Sequence, residues 1–304
     1  MNLIKNLNEE MKGSTVVGLG YFDGIHLGHQ YLLERLVESS KEYKIPNVLF
    51  TFNNSIAHLI DSHKTEYLLV DNREKVRLLR EIGIDNLFMV NFNEYIQTMT
   101  AKEFIKNIIV DKLNAKKVIV GFNYTFGYKG SGDTDYLKAL GQEFDFDVEV
   151  IEPVKKYDKV ISSSSIKKLI SQGKIEKANA LLGRPYEISG KVIKGRGRGK
   201  GMGFATANLK LRSNFVIPKF GVYKTWSKID NKYYLSITNV GENPTFNDKG
   251  VNIETHIFDI VNELYDKNIS IRFEKFIREE RKFDNKEDLI KQVKKDIEIV
   301  RYSK

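Results

Sequence analysis

Residues 20–36 read GYFDGIHLGHQYLLERL and follow directly on the apolar run Thr15–Leu19. An apolar run, then glycines interleaved with two histidines, then a leucine-rich amphipathic stretch spells strand, loop and helix. Where a parallel strand hands over to a helix, free N–H groups and the helix dipole favour phosphate. Gly20, Gly24 and Gly28 let the backbone come close to such a phosphate. His26 and His29 at the helix start offer N–H donors to nucleotide phosphates and to charge developing on a leaving pyrophosphate. A lone loop histidine is commonly a polar surface residue, but the spacing His-x-Gly-His after a strand is seldom accidental. Asp23 fits a contact with Mg²⁺ or a ribose, and equally a capping role before the helix.

Outward from this block the pattern repeats. Short apolar runs at 48–52, 87–90 and 117–120 alternate with amphipathic stretches at 30–44, 72–82 and 101–113, which predicts a parallel sheet covered by helices. After about residue 184 the pattern changes to six strand-like runs (186–193, 204–209, 221–228, 233–239, 253–258 and 269–276) and one closing helix at 286–301. These predict a small antiparallel β-barrel. The expected fold class is α/β plus β, with domains at 1–183 and 184–304, and two short helices over 166–182 broken at Gln172 and Gly173.

The chain of 304 residues has no cysteine, which removes disulfides, thiolate metal sites and cysteine nucleophiles together. No apolar run approaches the roughly 18 residues of a membrane span, and 2–12 is polar, so a soluble cytoplasmic protein is expected. Residues 1–183 carry 24 basic and 24 acidic groups, leaving 25 of the 49 basic and 16 of the 40 acidic groups to the rest. Between 188 and 229 there are ten basic residues and no acid, a surface that attracts anions such as a nucleotide or a nucleic acid.

The opening block resembles the His-x-Gly-His signature of nucleotidyltransferases, and its fuller form with Leu32 and Leu33 resembles the flavin adenylyltransferase version. VGFNYTFG at 120–127, followed by Ser131, Gly132 and Asp133, is similar to that family's flavin and nucleotide loop. ISSSSIK at 161–167 is similar to its second nucleotide motif, and LLGRPY at 181–186 to the junction between two halves. The second half resembles riboflavin kinases in GKGMGFATAN at 199–208, NVGENPT at 239–245, ETHIFD at 254–259, and a closing strand with Arg278, Glu279 and Phe283. Nearly the whole chain thus resembles the bifunctional riboflavin kinase/FMN adenylyltransferase family. Departures stand out where Phe-x-Pro-His-Pro is expected: Phe52, Asn53, Asn54, Ser55 and Ile56 lack both prolines. Lys200 and Lys167 also replace arginines, and Ala205 a proline. Lysine gives a point charge without arginine's bidentate fork.

The resemblance implies ATP as substrate of both halves, riboflavin and FMN as flavin substrates, FAD as product, and Mg²⁺ as cofactor. In the first half it implies that His26 and His29 act on the phosphates with Ser163, Ser164 and Lys167, while Asn123 helps place FMN or the nucleotide. Phe22, Phe122 and Phe126 then serve as ring walls or as core. In the second half Glu254 is the candidate base for the riboflavin 5′-hydroxyl. Thr206 and Asn208, two apart on an extended segment, face one side as oxygen ligands for Mg²⁺. Gly195 to Gly203, with Lys200 among its five glycines, form a phosphate lid.

Two other readings use parts of the same sequence. One is a nucleic-acid binder with a basic C-terminal module, although glycines alternating with basic residues before Thr-x-Asn fit a compact phosphate site better than a long groove. The other is a nucleotidyltransferase for a different phosphorylated substrate, carrying an accessory barrel.

Overall fold

Strands that are apolar without alternation must be covered on both faces. The computed structural model describes residues 1–54, 65–194, 206–242, 250–260 and 264–302, and its first unit, Met1–Glu66 with Asp71–Ser162, solves that requirement with a parallel sheet. The elements are β1 (Asn2–Ile4), β2 (Thr15–Leu19), α1 (Leu27–Tyr43), β3 (Asn47–Phe52), α2 (Asn72–Ile82), β4 (Asn86–Val90), α3 (Glu94–Thr98), α4 (Ala101–Phe104), β5 (Ala115–Gly121), α5 (Thr134–Phe144) and β6 (Asp147–Ile151), then a hairpin of β7 (Lys155–Lys156) and β8 (Lys159–Val160). Strand order is β1-β4-β3-β2-β5-β6, every pair parallel. Adjacent residues of β2 feed opposite layers: Val16 packs with Leu33 and Leu36 of α1, and Val17 with Phe104, Ile105 and Ile108.

The chain leaves β2 for β3 and β4 on one side, then returns to place β5 and β6 on the other. The carboxyl ends of β2 and β5 therefore flank the point where strand order reverses, which is where open parallel sheets bind ligands. Helix α1 starts at Leu27, three residues before the periodicity suggests, because His26 caps it: its Nδ1 accepts from the His29 backbone N–H at 3.3 Å. After α4 the chain widens into a π turn over Ile105–Val110, where a plain helix is expected from sequence. Asn54, standing where proline is expected, brackets the Phe92 backbone with both ends of its amide, at 2.9 and 2.8 Å.

The second unit comprises Tyr67–Val70 and Ser163–Lys304. It holds α6 (Ser163–Ser171), α7 (Ile175–Leu182), β9 (Tyr186–Ile193), β10 (Thr206–Leu211), β11 (Gly221–Ile229), β12 (Lys232–Glu242), β13 (Val251–Ile257), β14 (Asn268–Glu279) and α8 (Lys286–Tyr302). The strands close a barrel in the order β10-β13-β12-β11-β14-β9, antiparallel throughout. Helices α6 and α7 group with this barrel: Asn179 of α7 donates to Phe273 O at 2.8 Å and accepts from Tyr186 N–H at 2.7 Å. Tyr67–Val70 joins it through Leu68, which donates to Asn214 O at 2.7 Å and accepts from Val216 N–H at 3.0 Å.

Part of the buried side of the barrel wall is hydroxyl. Thr225, Ser227, Ser236, Thr238 and Thr255 are fully buried, and their hydroxyls bond one another at 2.8–2.9 Å. Leu235 and Ile237, which alternate with Ser236 and Thr238, pack with Ile297 and Val300 of α8. The Arg278 guanidinium clamps the same helix by donating to the buried Asp296 carboxylate at 2.6–3.0 Å.

Candidate active sites

The first unit encloses a cavity of about 820 Å³ at the carboxyl ends of β2, β3 and β5. Gly20, Tyr21 and His29 line one side, and Asn123, Tyr124 and Phe126 another. The His26 and His29 rings stack with centroids 3.7 Å apart, and Phe22 meets His29 edge-on at 5.2 Å. Because His26 Nδ1 accepts the cap hydrogen bond, its proton lies on Nε2. The loop that delivers the histidines is strained. Phe22 and Ile25 hold φ of 53° and 41°, a left-handed region costing on the order of 1–3 kcal/mol for such residues, and persisting where surrounding structure over-determines it.

Two glycines of the motif have a packing reason of their own. A Cβ at Gly20 would meet the Phe22 ring at 2.9 Å, and one at Gly28 the His26 imidazole at 3.2 Å. They clear room for the motif's own rings. In the β5–α5 loop Gly127 has φ 74°, and a Cβ there would strike the Ala101 backbone at 2.5 Å, so the loop seats tightly on α4. Paired bonds between Phe126 and Gly132 at 3.0 and 2.9 Å complete that seat.

Six aromatic rings run along the cavity in edge or tilted contact: Phe92–Phe52 at 5.0 Å, Phe52–Phe50 at 5.5 Å, Phe50–Phe104 at 5.9 Å, Phe104–Phe126 at 6.1 Å, and Phe126 stacked on Tyr124 at 5.7 Å. Burial pushes the Tyr124 phenol up. A flat apolar ring system suits such a wall. Of the residues selected from sequence, Gly20, His29, Asn123 and Phe126 meet at this cavity. Phe22 is a core residue, 2% exposed, and Phe122 is 43% exposed and outside the lining. Asp23 is buried and does not cap α1, since His26 does. Sequence reasoning passed over Phe50 and Phe52 of β3, Phe92, Phe104 and Tyr124 as ring walls; of these only Phe52 and Tyr124 lay inside a quoted motif.

In the second unit β13 stands between β10 and β12, and register places Asn208, Glu254 and Asn239 in one row across the three strands. The neighbouring row, Ala207, Thr255 and Thr238, is the buried one. Thr206 donates its hydroxyl to Glu254 Oε1, leaving Oε2 as acceptor for a further proton. Among the described residues no three His, Asp or Glu side chains converge as a metal cage. Thr206 and Asn208 are hard oxygen donors, and so few suit Mg²⁺ that takes its remaining ligands from phosphates and water. Gly195, Lys200 and Gly203 lie outside the described residues. Ser163 and Ser164 begin α6, and Lys167, one turn on, lines a cavity of about 780 Å³ with Lys219 and Glu279. Lys219 bonds Glu279 at 2.6 Å and holds its carboxyl below the usual range.

Residues 8–165 match the family model described as FAD synthetase, and 182–303 the one described as riboflavin kinase. Curated relatives named bifunctional riboflavin kinase/FMN adenylyltransferase align almost end to end. That of Buchnera aphidicola subsp. Acyrthosiphon pisum is 36% identical, covering 99% of this chain and 97% of its own. That of Bacillus subtilis is 34% identical over 98% and 95%, and that of Escherichia coli K12 32% over 96% and 94%. A crystal structure from Streptococcus pneumoniae, described as a macrolide-efflux protein, superposes with a TM-score of 0.90 at 32% identity over 99% of both chains. Among the described residues no helix is long and apolar enough to cross a membrane.

Proposed function

The chain belongs to the bifunctional riboflavin kinase/FMN adenylyltransferase family, and from that membership we propose which residues of its two units carry the two reactions. The enzyme phosphorylates riboflavin to FMN with ATP, and joins FMN to the adenylyl group of a second ATP to give FAD and pyrophosphate. We place it in the cytoplasm, where ATP is available, and draw the functional boundary at 183/184, after the Gly183 cap of α7.

In adenylyl transfer a phosphate oxygen of FMN, already anionic, attacks the α-phosphorus of ATP while the bond to pyrophosphate breaks. No general base is required. His29 and His26, held stacked at the start of α1, donate to the charge that grows on the departing phosphates. Asn123 positions FMN, with its isoalloxazine along the wall that ends in Phe126 and Tyr124. Ser163, Ser164 and Lys167 are kept as ligands of nucleotide phosphates on the strength of the ISSSSIK resemblance. Gly24 and Gly28, with Phe22 and Asp23, shape the loop that carries the histidines.

In the kinase reaction the riboflavin 5′-hydroxyl oxygen attacks the γ-phosphorus of ATP as the bond to ADP breaks. Glu254 takes the hydroxyl proton, and the Thr206 hydrogen bond orients its carboxylate. Thr206 and Asn208 would hold Mg²⁺, whose charge, when bound, offsets that of the phosphates.

The observation that best supports this division is the coincidence, in the first unit, of switch point, helix start, stacked histidines and aromatic-walled cavity. Chromatography of flavins after incubation with riboflavin, ATP and Mg²⁺ tests it. FMN should appear first and FAD follow; FMN that never becomes FAD overturns the adenylyl half, and absence of FMN overturns the kinase half.

A further inference from the structure

Behind the strained turn that faces the cavity lies a lysine that neither reaction has so far used. Lys75, in the first turn of α2, is 3% exposed, a rare state for an ammonium. Its Nζ donates to the Tyr21 carbonyl at 3.0 Å and stands 4.7 Å from the centre of the Tyr21 ring. The same carbonyl accepts from the Thr51 hydroxyl of β3 at 3.1 Å, so two side chains from two elements grip one backbone oxygen. The charged and titratable groups acting on the ammonium are Asp23 and Tyr21 from the loop and Glu66, whose Oε2 accepts from the Tyr21 hydroxyl at 3.2 Å.

Burying an ammonium for packing alone is costly, because an apolar side chain of similar length fills the same space without desolvating a charge. What the cation adds here is a directed grip on a turn with left-handed residues on either side of Asp23. That turn sets where Gly20 and Tyr21, both in the cavity wall, stand relative to His29. We propose that Lys75 is a positioning residue for adenylyl transfer, holding the Tyr21–Asp23 turn from behind so that the cavity wall and the stacked histidines keep their reactive geometry. This rests on the assignment of adenylyl transfer to the first unit's cavity. Lys75 touches no substrate in this role.

Burial pushes the Lys75 ammonium down to about 8, against the opposing pull of Asp23 and Glu66. The grip weakens as the proton is lost, which gives a readout that packing alone does not produce. In the full-length enzyme with saturating FMN and ATP, the rate of FAD formation should fall as pH rises through about 8. Lys75→Arg, whose charge persists at all such pH values, should keep activity and lose that fall. Lys75→Met should lower kcat for FAD formation by roughly 10- to 100-fold, the scale of about a 1 Å misplacement, and leave KM for FMN within about twofold. Conversion of riboflavin to FMN by the same samples should be unchanged.

A wild-type enzyme that makes no FAD would overturn the functional assignment itself. A wild type that makes FAD, with Lys75→Met equal to it in kcat, would overturn only the role of Lys75. Should Lys75→Met fail to fold, the pH profiles of wild type and Lys75→Arg decide: identical basic limbs reject the proposal, and loss of the limb in Lys75→Arg supports it.

Discussion

In the α/β unit the candidate residues sit at strand ends, on loops that converge where strand order reverses. In the barrel they sit in mid-strand, side by side on β10, β13 and β12, one residue away from the buried row. The first arrangement gathers groups from distant segments and needs a strained loop to aim them. The second is set by register, because a slip of one residue on β13 would exchange Glu254 for Thr255 and bury the glutamate. The cores differ in the same sense. The parallel sheet buries apolar side chains on both faces, whereas the barrel wall carries a hydroxyl ladder through Thr225, Ser236, Thr238 and Thr255.

The sharpest break between the two regions is Glu254→Gln. It keeps the Thr206 partner and the shape but removes the proposed base, so FMN formation should fall by about 10²–10⁴-fold. FAD formation from supplied FMN should stay near wild type. Equal loss of both activities in a native-like sample would refute the separation. Asp296→Ala comes next in size. It strands the Arg278 guanidinium under α8, and removing one partner of a buried pair costs about 3–5 kcal/mol. Thermal unfolding should show the barrel's transition shifted and that of the α/β unit in place; a single transition that moves as a whole would mean the units do not unfold separately.

His29→Ala deletes the proposed donor to the phosphates, and FAD formation should drop by about 10²–10³-fold while FMN accumulates. The smallest effect is expected of Thr255→Val. It preserves volume but deletes the Thr238–Thr255 rung of the ladder, leaving Thr238 only its bond with Thr225, a loss of about 0.5–1.5 kcal/mol. Calorimetry should record the barrel melting several degrees lower with kinase activity intact at room temperature. A neutral or stabilising outcome would show that the ladder is dispensable to the core.

These differences also explain what could be read from sequence. The 20–36 block was legible because strand end, loop, cap and helix are contiguous, and the closing helix and most barrel strands because their periodicity is plain. Strand β1 was missed as three residues in a polar stretch. So was β6, whose Glu149 is drawn in by Arg35 and Lys117 rather than by apolar character. The aromatic wall was not legible, since Phe50, Phe92 and Phe104 meet only when three elements converge, and Phe22 and Phe122 beside true wall residues look no different in sequence. The barrel's polar interior hid for a further reason: β12 reads inside-out, with Leu235 and Ile237 turned to α8 and Ser236 and Thr238 buried opposite.

The claim that one chain holds two independent sites is tested most directly by mixing the two inactivated enzymes. Glu254→Gln alone and His29→Ala alone should each fail to make FAD from riboflavin and ATP. Combined in one tube they should restore it, because FMN released by the His29→Ala chains is free to enter the intact adenylylation site of the Glu254→Gln chains. If the mixture yields no FAD while both variants melt like the wild type and the wild type converts supplied FMN, the two reactions share one site and the division between units is wrong.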